Sequence, residues 1–265
     1  MGLDTRHSFV VLAHRESPYL QECIHSLLSQ TAPSPVVIAT STPCAWIEDT
    51  AARNRLSLFV NPVEKGIGSD WTFAYGVAQS RYVTLAHQDD VYSPLYTESC
   101  LNAADRVGDS IIVFSDYLEK TGDECSQWNA NLLVKRCLLG FFFPLGRPLC
   151  SPTFRNHMLS FGSPIACPSV MYHKAEIGEF SFSSTYQFVL DWDAWLRLAK
   201  LDGSFVYVRR RLLAHRIHAD SATNRATFGA VRAEEELAMF LALWPRPVAS
   251  LLSRVYSLGW GTPVR

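Results

Sequence analysis

Apolar positions in the first 119 residues follow two alternating periods. "SFVVLA" (8–13), "PVVIATST" (35–42), "LSLFVNP" (56–62), "YVTLA" (82–86) and "SIIVFSDYLE" (110–119) are short apolar runs rich in β-branched residues. They read as buried strands. Between them, 17–30, 44–54, 66–80 and 94–107 read as helices. In the first of these, Tyr19, Leu20, Cys23, Ile24, Leu27 and Leu28 repeat at helical spacing behind Ser17 as N-cap and Pro18 in the first helical position. Strands alternating with helices predict an α/β fold, with a mostly parallel sheet flanked by helices on both faces.

The alternation stops at 120–165. That stretch holds Trp128, the apolar run "CLLGFFFPLG" (137–146), and the basic residues Lys135, Arg136, Arg147, Arg155 and His157. It reads as an irregular insertion. An acceptor-side cover, a membrane-surface contact and a packed excursion are all open for it. Periodicity returns in "DWDAWLRLAK" (191–200), a helix ended by Gly203, and in "SFVYVRRRLLAHRIH" (204–218), read as strands with a turn. The segment 234–261 reads as two amphipathic helices hinged at "WPRP". The expected organisation is an α/β domain over 1–223 and a C-terminal helical appendage over 224–265. In the tail, Trp244, Arg246, Arg254, Tyr256 and Trp260 suit peripheral membrane contact. They suit packing on the domain or a homodimer equally well.

Composition removes several classes. Of 265 residues, 24 are Lys or Arg and 25 Asp or Glu, so the basic footprint of a nucleic-acid binder is missing. The opening "MGLDTRHSFV" has no apolar core of a secretory signal, and Arg6 stands where a myristoylation site wants Ser or Thr. No apolar run approaches the ~18 residues of a membrane span. The 7 cysteines are scattered with no C-x-x-C pair, as reduced thiols in a cytoplasmic protein would be.

Candidate chemistry concentrates at the end of the fourth strand. In parallel sheets ligands bind beyond the carboxyl ends of the strands. "YVTLA" runs directly into His87, Gln88, Asp89 and Asp90. Adjacent carboxylates repel and are costly if buried unpaired. A hard divalent cation relieves that cost. A helix cap or solvated turn before Pro94 explains these four residues alone as well.

Four segments, in order, resemble the family 2 glycosyltransferases with the GT-A fold, over roughly 7–223. They are "SFVVLAHRESPYLQECIHSLLSQT", "NPVEKGIGSDWTFAYGVAQSRYVTLAHQDDVYSP", "DWDAWLRL" and "HRIHADSAT". The resemblance implies transfer of a sugar, with inversion, from a nucleotide-diphosphate sugar to a glycan or lipid-linked acceptor in surface polysaccharide or glycolipid synthesis. It also implies a Mn²⁺ or Mg²⁺ cofactor. Such a displacement needs charge neutralisation at the leaving diphosphate and a base for the acceptor hydroxyl.

By the same resemblance, Asp89 holds the second acidic position of the family's DxD motif and binds the metal. His87 stands where the first Asp usually stands and would contact the ribose or a metal-bound water as a neutral imidazole, Gln88 lies between them, and Asp90 orients the sugar or a loop, or is structural. Asp191 aligns with the catalytic base, although Leu190 replaces the usual Glu. Apolar Leu190 and Trp192 should raise its pKa by desolvation. Capping the helix is the alternative role, and Asp193 the nearest rival. His218 is the candidate third metal or diphosphate contact, or a structural histidine, and Arg216 a candidate diphosphate partner. Ala13 and His14 would flank the base through their backbone. Thr40, Ser41 and Thr42 replace the Asp that usually reads uracil. Trp71, beside Asp70, replaces an Arg and either stacks on a base or packs. The implied donor is of UDP or dTDP type. A non-catalytic relative that binds nucleotide-sugar or glycan for a partner enzyme is the alternative. A nucleotidyltransferase fits less well, because "LAHRESP" offers only Arg15 and no glycine.

Overall fold

The computed structural model describes residues 5–63, 66–218 and 229–257. The first part alternates as expected: β1 (His7–Ala13), α1 (Leu20–Leu28), β2 (Val36–Thr40), α2 (Ala45–Asn54), β3 (Ser57–Val60), α3 (Ile67–Val77), β4 (Tyr82–His87), β5 (Val91–Tyr92) and α4 (Tyr96–Val107). Then follow β6 (Ser110–Thr121), β7 (Glu124–Ser126), α5 (Ala130–Phe142), α6 (Pro152–Leu159), β8 (Val170–His173), α7 (Lys174–Ile177), α8 (Leu190–Leu198), β9 (Ser204–Arg216), α9 (Gly229–Leu243) and α10 (Arg246–Ser257).

The described strands form one sheet in the order β3-β2-β1-β4-β8-β6-β9-β5, with β7 paired to β6. It is parallel through β3, β2, β1 and β4. Beyond β4 it is mixed, because β8 runs antiparallel to both β4 and β6. Strands β1, β2, β4, β6, β8 and β9 each feed two cores. Phe9, Val11 and Ala13 enter the core beneath α1, α2 and α4, while Val10 enters the one beneath α3, α8 and α9. Such two-sided burial gives the continuous apolar runs of the sequence.

Two expectations change, and one left open is decided. The 120–165 segment is not irregular: it contains β7, α5 and α6. The side chain of Asn129 caps α5 and that of Ser151 caps α6, each accepting a hydrogen bond from a backbone N–H. Arg155 in this segment is fully buried, donating to Gly203 O at 2.8 Å and Leu201 O at 2.6 Å, so it holds a turn rather than lining a site. Second, 204–216 is one strand. Its pairing with β6 shifts between Val208 and Arg211, so a bulge replaces the expected turn.

Third, the tail is built into the domain. Met239, Phe240 and Ala249 belong to the larger core, and Trp244 Nε1 donates to Ser160 O at 2.7 Å. Tyr256 lies 5.8 Å from the Trp192 ring. Gly162 has φ 129°, and an added Cβ there would stand 2.4 Å from the Tyr256 ring, so glycine is required for this approach. Trp244 and Tyr256 therefore face inward. Trp260, and residues 219–223 of "HRIHADSAT", lie outside the described residues. No described helix is long and apolar enough to cross a membrane.

Candidate functional site

The carboxyl ends of β1, β2 and β4 meet at one edge of the parallel region, where Ala13 pairs with Thr40 and Leu12 with His87. Gln88 ties β4 to β1. Its Oε1 accepts from His14 N at 2.9 Å and its Nε2 donates to His14 O at 3.1 Å. A side-chain amide thus continues the ladder one residue past the strands. Arg15 follows with φ 54°, a left-handed conformation unusual outside glycine, and its N–H donates to Thr42 Oγ1 at 2.7 Å. Ser41 Oγ donates to Asp70 Oδ2 at 2.9 Å, and Asn61 Nδ2 donates to Asp70 Oδ1 at 3.0 Å. So Ala13, His14, Thr40, Ser41, Asp70 and Gln88 come together as expected. Thr40 itself is buried, its hydroxyl accepting from Thr42 N at 3.0 Å, which makes it a turn-former. Trp71 packs: it is 8% exposed, its ring 5.2 Å from those of His87 and Phe182.

Beside this pocket, His87, Asp89 and Asp90 each offer a ligand atom, all within 4.8 Å of one another. Asp90 is fully buried. Its Oδ1 accepts from His215 Nδ1 at 2.9 Å and from Arg216 N at 2.9 Å. Arg216 also donates from Nε to Asp89 O at 2.9 Å, pairs with Glu22, and lies 4.3 Å over the Tyr19 ring. Arg216 is thereby engaged within the protein. His218 Nε2 donates to Asp89 Oδ2 at 3.0 Å, so this expected pair is adjacent.

Two polar atoms here are buried without a hydrogen-bond partner, His87 Nε2 and Asp90 Oδ2. Buried polar atoms are seldom left so, and an unrepresented ion is one explanation. Burial lowers the His87 pKa against the pull of Asp90 and Asp89, which keeps a ring nitrogen free for coordination. Burial alone would raise Asp89, but His218 and the other nearby histidines outweigh it and hold the carboxyl below its ordinary value. His215 goes the other way. Burial alone would lower it, yet Asp90 and then Asp89 lift it to about 9, so it is cationic at neutral pH. Two carboxylates and one imidazole fit a divalent cation, and the nitrogen donor suits Mn²⁺ better than Mg²⁺.

The second half of the site is apolar. Asp191 sits in the first turn of α8 between Leu190, 4% exposed, and Trp192, 1% exposed. Burial pushes its pKa up to about 6, against the Trp192 N–H that it accepts at 2.7 Å and the charges of Lys135 and Arg232. Its rival Asp193 is committed to Arg197, Nε to Oδ2 2.9 Å. The α8 start has no side-chain cap of its own. Glu235 of α9 supplies one, accepting from Gln187 N at 2.9 Å, Phe188 N at 2.8 Å and Val189 N at 3.3 Å. The two ends influence shared groups: the buried Cys167 thiol is pushed up by burial and then by Asp191, with a smaller push from Asp90, and Lys135 acts on both Asp191 and His215.

Sequence reasoning missed Asn61 and Glu235, and named Lys135 only as part of the basic character of 120–165. Asn61 stands at the end of β3, the position at which neighbouring strands place their site residues. Glu235 lies in "EEEL", which reads as a solvated helix face.

Residues 8–172 match the model of Glycosyl transferase family 2. A search of curated proteins gives no match. Mannosyltransferase PcManGT from Pyrobaculum calidifontis, in complex with GDP-Man and Mn²⁺, is similar at a TM-score of 0.64 and 12% identity. The likeness covers 95% of this chain and 69% of that one. S. aureus TarS 1–349 in complex with UDP-GlcNAc is similar at a TM-score of 0.63 and 13% identity, over 96% of this chain and 72% of that one. In a longer TarS structure the likeness covers 93% of this chain and 42% of that one. The TM-scores establish a shared GT-A fold. The family match covers more than half of the sequence, and the chain belongs to glycosyl transferase family 2.

Proposed function

We propose that this protein is a metal-dependent, inverting glycosyltransferase. It moves a hexosyl group from a nucleotide-diphosphate sugar to a hydroxyl of a glycan or lipid-linked acceptor, in surface polysaccharide or glycolipid synthesis on the cytoplasmic side. The observation that carries the reading is the presence of two unlike carboxylate sites in one family 2 fold. One is a polar Asp89–Asp90 end with partnerless buried ligand atoms, the other an apolar Asp191 whose pKa is near 6.

The backbone at Ala13 and His14, with Ser41 and Asp70 opposite, holds the nucleobase, and Thr40 shapes that turn. Hydroxyls at this place hydrogen-bond a pyrimidine edge, as in UDP or dTDP, without adding charge. Asp89, with His87 and Asp90, holds the cation, and His218 steadies or joins Asp89. When bound, the cation neutralises charge that develops on the departing diphosphate. Asp191 accepts the proton of the acceptor hydroxyl, since a base near the working pH transfers protons efficiently. The acceptor oxygen forms its bond to the anomeric carbon as the bond to diphosphate oxygen breaks. One displacement inverts the centre, so no enzyme nucleophile is needed.

Thermal-shift measurements with UDP-, dTDP- and GDP-sugars, each with Mn²⁺, Mg²⁺ or EDTA, test the donor side. A ligand at about 100 times its dissociation constant stabilises the fold by ~2.7 kcal/mol. The wild type should show a metal-dependent shift with one pyrimidine nucleotide, and Asp89→Ala should abolish it. Asp191→Asn should keep the shift and lose transfer. A shift without turnover in the wild type would favour the non-catalytic alternative. Near-wild-type turnover in Asp191→Asn would falsify the base assignment.

A further inference from the structure

Helix α5 buries Leu132 and Leu139 and exposes a second apolar stripe. Ala130, Leu133, Val134, Cys137 and Phe141 form one stripe at helical i, i+3 and i, i+4 spacing, and all are exposed, Val134 by 66% and Phe141 by 77%. Its charged residues point the other way. Arg136 Nε pairs with Asp116 Oδ2 at 2.9 Å, and Lys135 Nζ donates to Tyr117 OH at 3.1 Å. A surface helix facing water shows the reverse pattern. Single exposed apolar side chains are ordinary, but a contiguous stripe marks a surface that meets something.

The surroundings indicate what it meets. Trp128 precedes the helix, 66% exposed, with the guanidinium groups of Arg136 and Arg211 each 5.9 Å from its ring. Beyond the other end of α5, Leu145 is 88% exposed and Arg147 is exposed. Leu145 borders a groove of about 500 Å³ that carries Arg106, Arg209 and Arg210 and no acidic residue. Arg209 donates to Phe143 O, which ties the groove to the helix end. The chain as a whole has a net charge of −1, so this concentration of arginine is local.

We propose that the α5 stripe, Trp128 and the arginine groove together form a face that lies on an anionic lipid bilayer. Aliphatic and aromatic side chains enter the boundary between headgroups and acyl chains, and arginines meet the negative headgroups. A second copy of the chain fits less well, because a twofold contact through this face brings two sets of the same arginines into one interface. The proposal goes beyond the catalytic reading and does not depend on it.

Flotation of the whole protein tests it, with vesicles of phosphatidylcholine alone and of phosphatidylcholine mixed with phosphatidylserine. The wild type should float with the mixed vesicles and far less with the neutral ones. Leu133→Glu with Phe141→Glu should weaken partition at least about tenfold, and Arg147→Glu with Arg210→Glu at least about fivefold. All four positions are exposed or groove-lining, and unchanged melting temperatures will show that the variants fold. Helix α10 also exposes Val248, Leu251 and Val255, so Leu251→Glu is the control and should float like the wild type. The proposal is overturned by any of four results. These are no flotation of the wild type, equal flotation on both vesicle types, flotation unaffected by the α5 variant, or a loss confined to Leu251→Glu. A fall from dimer to monomer in the α5 variant, with flotation intact, would assign the face to a second copy instead.

Discussion

The two ends of the site are built in opposite ways. At the β4 end, His87, Gln88, Asp89 and Asp90 are consecutive, and their partners His14, His215, Arg216 and His218 come from the ends of neighbouring strands. Charge is balanced there by charge. At the α8 end a single carboxylate stands among apolar groups, and its surroundings come from far along the chain: Lys135 from α5, Glu235 from α9, Trp192 beside it. There burial outweighs the charges, and the pKa rises. Nearly the same side-chain chemistry is therefore held anionic at one end and given a pKa close to neutrality at the other, which suits the binding and proton-transfer roles proposed for them.

Removing the poised charge should have the largest effect. Asp191→Asn is expected to lower turnover by ~10²–10⁴-fold with donor affinity unchanged, read by steady-state kinetics and calorimetry. Wild-type turnover should rise with pH through about 6, where Asp191 loses its proton. The stability sign is opposite to the usual carboxylate case. Folding lifts Asp191 from 3.8 to about 6, so the native state holds the proton more tightly across that window. Its contribution to stability falls as pH rises from about 4 to 6 and stays low above. Asp191→Asn should then melt higher than wild type at neutral pH and show no gain near pH 4. A lower melting temperature at neutral pH would mean that the α8 end is not governed by desolvation.

Gly68 joins the two ends. A Cβ there would stand 2.0 Å from the Ser183 backbone oxygen, so the start of α3 and the segment leading to α8 touch only because this residue is glycine. Gly68→Ala should cost about 1–3 kcal/mol, measured by denaturant unfolding, and should weaken donor binding and turnover together. An effect on one alone would show that the halves are independent.

Glu235→Ala strips three backbone N–H groups of their acceptor and should cost about 1–3 kcal/mol. Hydrogen exchange at 187–189 should speed up and kcat should fall, with the metal-dependent donor shift intact. Glu235→Gln, which retains one good acceptor, should recover part of both. Smallest is Gln88→Ala, which removes the clasp on His14. About 1 kcal/mol of donor affinity, roughly fivefold, is expected with kcat nearly unchanged.

Much of this architecture was readable from sequence, unevenly and for physical reasons. Strands β1, β2, β4 and β6 are covered on both faces, so their apolar runs stand out against amphipathic helices. Helices α5 and α6 were missed because α5 carries apolar residues on both its sides, which erases the periodic signal. β5 and β8 have two and four residues, too few to show any period. The bulge in β9 was read as a turn because "RRR" interrupts an apolar strand with exposed charge. In the site, His87–Asp90 and Asp191 were legible as polar residues where apolar elements end or begin. The cap from Glu235 was not, because nothing local to "EEEL" shows which backbone N–H groups its carboxylate will meet.

The sequence by itself determined the alternating elements, the strand end that carries the paired carboxylates, and the candidate base with its apolar neighbours. These follow from side-chain period and from residues adjacent in the chain. Only the tertiary structure decided that Asp90 is pinned by His215 and Arg216, that Trp71 packs, that α9 of the tail holds the chain just before Asp191, and that α5 exposes an apolar stripe. Each of those rests on groups that are distant in sequence, brought together only when the sheet closes and burial sets which polar atoms keep a partner.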